Sequence, residues 1–368
     1  MATRYGFLST HPPTFCGLAS FNAALAAGLP DTGVVRVVEP GDTSPAGPEV
    51  THTWATRAEG GWRAAADALN SFDVAIIQHE YGIYPGADGA DVLRLMRRLS
   101  TPSIVVLHTV LSRPTPRQKS LLEQIVAVAG AAVTMTATAH ERLLAGYSVD
   151  PAKVSIIPHG AAEHTAEPAA RTARPHMLTW GLLGPGKGIE WAIRAMAHLG
   201  KLDPVYTVAG RTHPKVLERH GETYRAGLHQ LAAQLGLAQS VRFEADYLDP
   251  ATLSGLIRSA DVVVLPYDSV EQVTSGVLIE AVAAGVPVVA TAFPHAVELL
   301  SDGTGLVVPH QNPRALSVAL RKVLSRPTPA AERPDGTVPR WPAVTARYEA
   351  LAARLIAART PVPVGAPA

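Results

Sequence analysis

Short β-branched runs alternate with helical stretches along the whole chain, the pattern of parallel sheets covered by helices. In the first half this pattern predicts strands at Tyr5 to Leu8, Val34 to Val38, Val74 to Gln78, Ser103 to His108, Ala132 to Met135 and Val154 to Ile157. Helical stretches such as Gly17 to Gly28 and Gly89 to Leu99 lie between them. The second half restarts the alternation, with strands at Met177 to Trp180, Val205 to Ala209, Val241 to Phe243, Val262 to Pro266, Val286 to Thr291 and Gly305 to Val308. Ala161 to Pro175, rich in Ala, Thr, Glu, Arg and Pro, shows no period and is expected to be an interdomain linker. Two doubly wound, Rossmann-like α/β sheets joined in this way leave a cleft between their carboxyl edges, where ligands of open sheets bind. A last helix, Trp341 to Ala358, carries apolar Val344, Tyr348, Leu351 and Leu355, and the tail Pro361 to Ala368 is expected to be disordered.

Composition narrows the class. At 368 residues, two domains of ordinary size are the natural expectation. A formal net charge of +1 argues against nucleic acid as a bulk partner, and 47% hydrophobic against 17% charged residues allows a large core. The single cysteine, Cys16, excludes an intramolecular disulfide and gives no sign of a metal cluster, so a reducing cytoplasm is expected. The opening residues Met1 to Leu8 lack the apolar run of a signal peptide, and no segment reaches about 18 uninterrupted apolar residues. Membrane contact is expected to be peripheral at most.

The most informative stretch is Pro266 to Thr291. It reads as a polar loop, a helix whose first turn is Ser275-Gly276-Val277, and a Gly285-Val286-Pro287 turn into a buried strand. Free backbone N–H groups and a positive helix end then face the carboxyl edge of a parallel sheet, where a diphosphate would sit. Trp180 to Glu190 adds a glycine-rich turn, Gly184-Pro185-Gly186-Lys187-Gly188, between the first strand of the second half and the next helix. Such a turn brings backbone close to phosphate, and its lysine supplies a full positive charge. It is not a Walker loop, because Lys187 is followed by Gly188 rather than Ser or Thr.

These motifs resemble the nucleotide-sugar site of the glycosyltransferase family 4 group of GT-B enzymes, and the resemblance covers nearly the whole chain. In that family two glutamates eight positions apart bracket a small Gly-containing turn, and a Gly-x-Pro-Val-Val-Ala strand follows. Glu280 matches the second glutamate, Ser275-Gly276-Val277 the turn, and Gly285 to Ala290 the strand. Gln272 stands where the first glutamate is expected, and its amide can still hydrogen-bond a sugar hydroxyl. Leu182 stands where most members carry an arginine, five positions before Lys187.

The resemblance implies a GT-B fold. An acceptor-side domain over 1–165 and a nucleotide-sugar domain over 166–340 would be followed by a helix over 341–360 that packs back on the first domain. It also implies roles. Lys187, with Gly186 beside it, would face the leaving diphosphate, while Gly276 and Val277 would hold phosphate and Glu280 would take the ribose hydroxyls. Arg211, just past the second strand of the domain, is the candidate second cation, its alternative being a surface arginine capping a loop. Gly17 would present backbone to the donor phosphate and sugar, or serve a strand-to-helix turn for steric reasons alone. His108, at the carboxyl end of its strand, would sit beside the transferred sugar. His79, Glu80 and Tyr81 offer donors and acceptors suited to a polyhydroxylated acceptor, or form a hydrogen-bonded loop network. His213, a lone loop histidine, reads as structural or solvated, and His295 lines the base side without an assigned role. Arg94, Arg97 and Arg98 read as a solvated helix face, with anionic lipid the alternative.

The reaction so implied is retaining transfer of a hexose, mannose or glucose, from a GDP- or UDP-sugar to a carbohydrate or other hydroxyl acceptor. Leaving-group stabilisation would matter more than a protein base, and no nucleophile is evident. No Asp-x-Asp pair is present to hold a metal with diphosphate, so metal independence is expected and no cofactor is required. Two rivals share the fold: a non-catalytic nucleotide-sugar-binding subunit, which the replacements at Leu182 and Gln272 keep open, and a nucleotide-sugar epimerase.

Overall fold

The computed structural model describes residues 2–39, 41–169, 173–325 and 338–359. The chain divides into two compact units, 1–160 with 341–368, and 161–340. The tail Pro361 to Ala368 lies outside the described residues.

The first unit is built on β1 (Tyr5–Ser9), β2 (Thr32–Val38), β3 (Val50–Ala55), β4 (Val74–His79), β5 (Ser103–Leu107), β6 (Ala131–Thr134) and β7 (Val154–Ile156). They form one seven-stranded sheet in the order β3-β2-β1-β4-β5-β6-β7, and each pairing is parallel. Every residue of β1, β4, β5 and β6 is buried, as befits parallel strands covered by helices on both faces. β3 has no counterpart among the expected strands. It is an edge strand whose Val50, Thr51, His52 and Thr53 are exposed or half-buried, so it lacks an apolar run. The helix Trp341–Arg359 belongs to this unit, and Val344, Tyr348, Leu351 and Ala352 enter a core with Phe7, Phe21, Leu25 and Ile104.

The second unit contains β8 (His176–Trp180), β9 (Val205–Ala209), β10 (Val241–Glu244), β11 (Val262–Leu265), β12 (Val288–Thr291) and β13 (Gly305–Val308). The six strands run β10-β9-β8-β11-β12-β13, again all parallel. The expected linker needs correction at its start. Ala161 is buried, donates its N–H to the Pro339 carbonyl at 3.0 Å and pairs with Arg340, while Ala169 N–H reaches the Gly255 carbonyl at 2.9 Å. Backbone bonds hold this segment to the second unit, and such bonds leave no periodic trace in the side chains.

Candidate functional site

In the second unit the strand order reverses at β8 and β11, the position at whose carboxyl edge open α/β sheets bind ligands. Gly181 to Gly188 leaves β8. Gly188 has φ +62°, and a Cβ there would stand 1.9 Å from the Pro266 carbonyl oxygen, so glycine alone lets this turn lie on the chain leaving β11. Asp268 completes the fastening: its N–H donates to the Gly186 carbonyl and its Oδ1 accepts from Trp191 Nε1, both at 2.9 Å. Gly210, after β9, lies equally close to Gly181, and Leu183 N–H donates to the Arg211 carbonyl at 2.8 Å. Arg211 is thus on a loop laced to the glycine-rich turn, with its side chain exposed.

Lys187 projects its Nζ over the Tyr267 ring, 4.4 Å from the centroid. Tyr267 is itself buried and stacked on Phe293 at 5.1 Å. Burial draws the Lys187 pKa down from 10.5 to about 8. The ring face compensates the ammonium only in part, leaving a cation that gains by meeting an anion. His213, lowered by burial and then by Lys215 and Lys187, caps the next helix by accepting the Lys215 N–H through Nδ1 at 3.2 Å.

The helix Gly276–Ala283 begins beside this turn, since a Cβ on Gly181 would come 3.7 Å from Val277 Cγ2. Ser275 is its N-cap, and Ser275 Oγ accepts from Leu278 N–H at 3.3 Å. The N–H groups of Gly276 and Val277 find no acceptor among the described residues. Ser275 N–H in turn donates to His295 Nδ1 at 2.8 Å, a contact the sequence did not reveal. The Gln272 side chain turns into its own loop, Nε2 donating to the Thr274 carbonyl at 3.3 Å, and the Gln272 backbone carbonyl accepts from His295 N–H at 3.2 Å. Glu280 lies further along the helix, half-buried. Its Oε1 accepts from Ala162 N–H at 3.2 Å, and Oε2 lies 2.7 Å from His164 Nε2. Neither partner carries a sequence signal, because both fall in the stretch read as a linker.

In the first unit, β1 and β4 are the neighbours at which the order reverses. Gly17 opens the helix Gly17–Ala27 after β1, and a Cβ there would meet nothing within 4 Å. His108 follows β5, with Nε2 2.8 Å from Gln78 Oε1 and its ring edge-on to Phe21 at 4.9 Å. Burial, then the His159 and His79 rings, pushes its pKa down to about 3, so the ring is neutral. His79, on the opposite face of β4 from Gln78, is buried, neither ring nitrogen has a hydrogen-bond partner among the described residues, and burial takes its pKa to about 4. Glu80 accepts from Tyr81 N–H at 2.9 Å and from the Thr109 hydroxyl, and Tyr81 donates to the Gln118 carbonyl at 3.4 Å. Glu80 and Tyr81 are thus engaged in hydrogen bonds of the loop itself. Arg94 pairs with Asp91 at 3.4 Å, Arg98 with Asp67 at 2.9 Å, and Arg97 donates to Gln124 at 2.8 Å, so two of these charges meet carboxylates.

Among the described residues no group of three or more His, Cys, Asp or Glu is arranged to hold a metal ion, and no helix is long and apolar enough to cross a membrane.

The profile of the family described as glycosyl transferases group 1 matches residues 161–335, the unit that carries Lys187 and Glu280. The D-inositol 3-phosphate glycosyltransferase of Frankia alni is 30% identical over 301 residues, 70% of this chain and 71% of that protein. Its namesake from Geodermatophilus obscurus is 31% identical over 260 residues, 62% of this chain and 55% of that protein. The match spans about half the length of the first two such relatives, 55% and 48%. Among solved structures, Anabaena HepE in complex with UDP and glucose superposes with a TM-score of 0.70 at 14% identity, covering 96% of this chain and 98% of that one. The trehalose-phosphate synthase of Burkholderia xenovorans, in complex with glucose-6-phosphate, gives 0.72 at 15% identity, covering 95% and 100%. The two parallel α/β units are those of the GT-B fold. The chain belongs to the glycosyl transferases group 1 family.

Proposed function

We propose that this chain is a retaining, metal-independent hexosyltransferase of family 4 that moves glucose or mannose from a nucleoside-diphosphate sugar to a hydroxyl acceptor. One observation carries the reading. Lys187, which meets no carboxylate among the described residues, stands on a turn packed against the start of the helix Gly276–Ala283, whose Gly276 and Val277 N–H groups find no acceptor among those residues. A fixed positive charge and preset donors suit a departing diphosphate. Arg211, on the loop laced to that turn, would add a second cation.

In this reading Glu280 holds the ribose, Gln272 and His108 contact the transferred sugar, and Gly17 gives backbone to the donor. The bond from the sugar carbon to the diphosphate breaks as the acceptor oxygen bonds to that carbon, and the acceptor proton passes to a departing phosphate oxygen. No protein nucleophile enters. UDP, bound in HepE, makes UDP-sugars the first donors to try, with GDP-sugars second. The relatives' name makes a phosphorylated polyol the first acceptor. A cytoplasmic location accords with a free Cys16.

The test incubates the chain with UDP-glucose or GDP-mannose and D-inositol 3-phosphate or simple polyols, and reads the product anomer by NMR. A product that keeps the donor's α configuration is expected. An inverted product contradicts the mechanism, and nucleotide binding without turnover of any donor points to the non-catalytic subunit.

A further inference from the structure

Five polar side chains of the first unit form one hydrogen-bonded chain at the carboxyl edge of its sheet. His108 Nε2 lies 2.8 Å from Gln78 Oε1, and Gln78 Nε2 donates to Asn22 Oδ1 at 3.4 Å. Asn22 Nδ2 lies 3.1 Å from His11 Nδ1, and His11 Nε2 lies 3.0 Å from Glu49 Oε1. Gln78, Asn22 and His11 are buried, so each depends on its neighbours in the chain for partners.

The carboxylate sets the direction of every link. Glu49 is held below its ordinary pKa, first by its own backbone N–H and also by His11, and an ionised carboxylate can only accept. His11 Nε2 must therefore donate. Burial lowers the His11 pKa, and in the neutral ring Nδ1 then accepts from Asn22 Nδ2. That leaves Asn22 Oδ1 to accept from Gln78 Nε2, and Gln78 Oε1 to accept from His108 Nε2. His108 is neutral, so its other nitrogen, Nδ1, keeps a lone pair and no proton.

We propose that Glu49, acting through His11, Asn22 and Gln78, fixes His108 as the Nε2–H tautomer, so that Nδ1 accepts a hydrogen bond from a hydroxyl of the transferred sugar. The sugar contact rests on the glycosyltransferase reading above, whereas the tautomer lock stands without it. Gln78, Asn22, His11 and Glu49 are positioning residues. A ring locked as an acceptor requires a hydroxyl on the sugar facing it, and a donor lacking that hydroxyl leaves the acceptor unpaired. The same lock keeps His108 from donating a proton through Nδ1.

The test is a long-range proton–nitrogen correlation spectrum of the full chain with nitrogen-labelled histidine, the His108 signals being assigned by their loss in His108→Asn. Wild type is expected to show Nε2 protonated and Nδ1 bare. Glu49 is 39% exposed, so Glu49→Gln is expected to fold. Its amide can donate or accept, which frees the direction, and His108 is expected to become a mixture of tautomers. A protonated Nδ1 in wild type, or an unchanged tautomer in Glu49→Gln, overturns the lock. Titration with UDP, GDP, UDP-glucose and GDP-mannose tests the contact: a nucleotide sugar is expected to move the Nδ1 resonance where its nucleotide alone does not. A nucleotide sugar that binds without moving Nδ1 overturns the contact while the lock stands. If no nucleotide or nucleotide sugar binds, it is the glycosyltransferase reading that fails.

Discussion

His295 Nδ1 accepts the backbone N–H of Ser275 at 2.8 Å, and both residues are buried, so a histidine 20 positions away holds the residue that caps the helix Gly276–Ala283. The Gly276 and Val277 N–H groups take their direction from that cap. His295→Leu leaves a buried N–H unpaired, which costs about 1–3 kcal/mol. The expected result is a lower denaturation midpoint with a weaker affinity for nucleoside diphosphate. A variant that loses stability but binds as wild type does would show that His295 serves only the core.

Lys187 gives a pH signature with two opposite signs. Its proton leaves near pH 8 in the folded chain and near 10.5 in the unfolded one, so between those values the unfolded chain binds more protons. Stability of the ligand-free chain should therefore gain a contribution from this group as pH rises through that window. Affinity for a diphosphate should fall over the same rise, because the ammonium is lost. Chemical denaturation and calorimetric titration on either side of pH 8, compared with Lys187→Met, are expected to show both trends in wild type and neither inflection in the variant.

Two glycines separate folding from binding. Gly188→Ala places a Cβ on the Pro266 carbonyl at a left-handed φ of +62°, and should destabilise by more than about 2 kcal/mol. Gly17→Ala meets nothing within 4 Å and should leave the unfolding free energy within about 0.5 kcal/mol of wild type. If Gly17 faces the donor, this stable variant should still lose affinity for nucleotide sugar. Unchanged binding would reduce Gly17 to a turn residue.

Glu280 is assigned to the ribose, and deoxynucleotides test that directly. A charged acceptor to a hydroxyl contributes about 1.5–3 kcal/mol, so Glu280→Gln should bind UDP roughly tenfold more weakly or worse. The preference for UDP over 2′-deoxy-UDP should shrink in the variant. Equal losses for both nucleotides would move Glu280 away from the sugar edge. His164→Ala, which removes the side chain 2.7 Å from Glu280 Oε2, is expected to change UDP affinity without altering the ribose preference.

Strands such as Val262–Leu265 were legible because all their residues are buried between helices and so read as continuous apolar runs. β3 was not, since an edge strand shows solvent its polar positions. Lys187, Gly188 and Ser275 were legible because a tight glycine-rich turn and a helix cap impose local residue choices. The contacts that complete the site are tertiary. His295 reaches Ser275, His164 reaches Glu280, and Gln78 reaches Asn22 across 56 positions of sequence. Nothing in the local pattern of a histidine or an amide says which distant residue the fold will bring to it. His79 is buried because helices cover both faces of β4, and nothing in the run ahead of it marks the last residue as enclosed as the rest.

The most direct test of the nucleotide-sugar site is a thermal-shift comparison of wild type and Lys187→Met with UDP, GDP, ADP, dTDP and CDP. A ligand at about a hundredfold over its Kd stabilises by about 2.7 kcal/mol, a readable shift. The expected result is one nucleotide that raises the Tm of wild type and raises that of the variant far less. A panel in which no nucleotide shifts wild type, or in which Lys187→Met keeps the full shift, would contradict the placement of the diphosphate on Lys187 and the helix Gly276–Ala283.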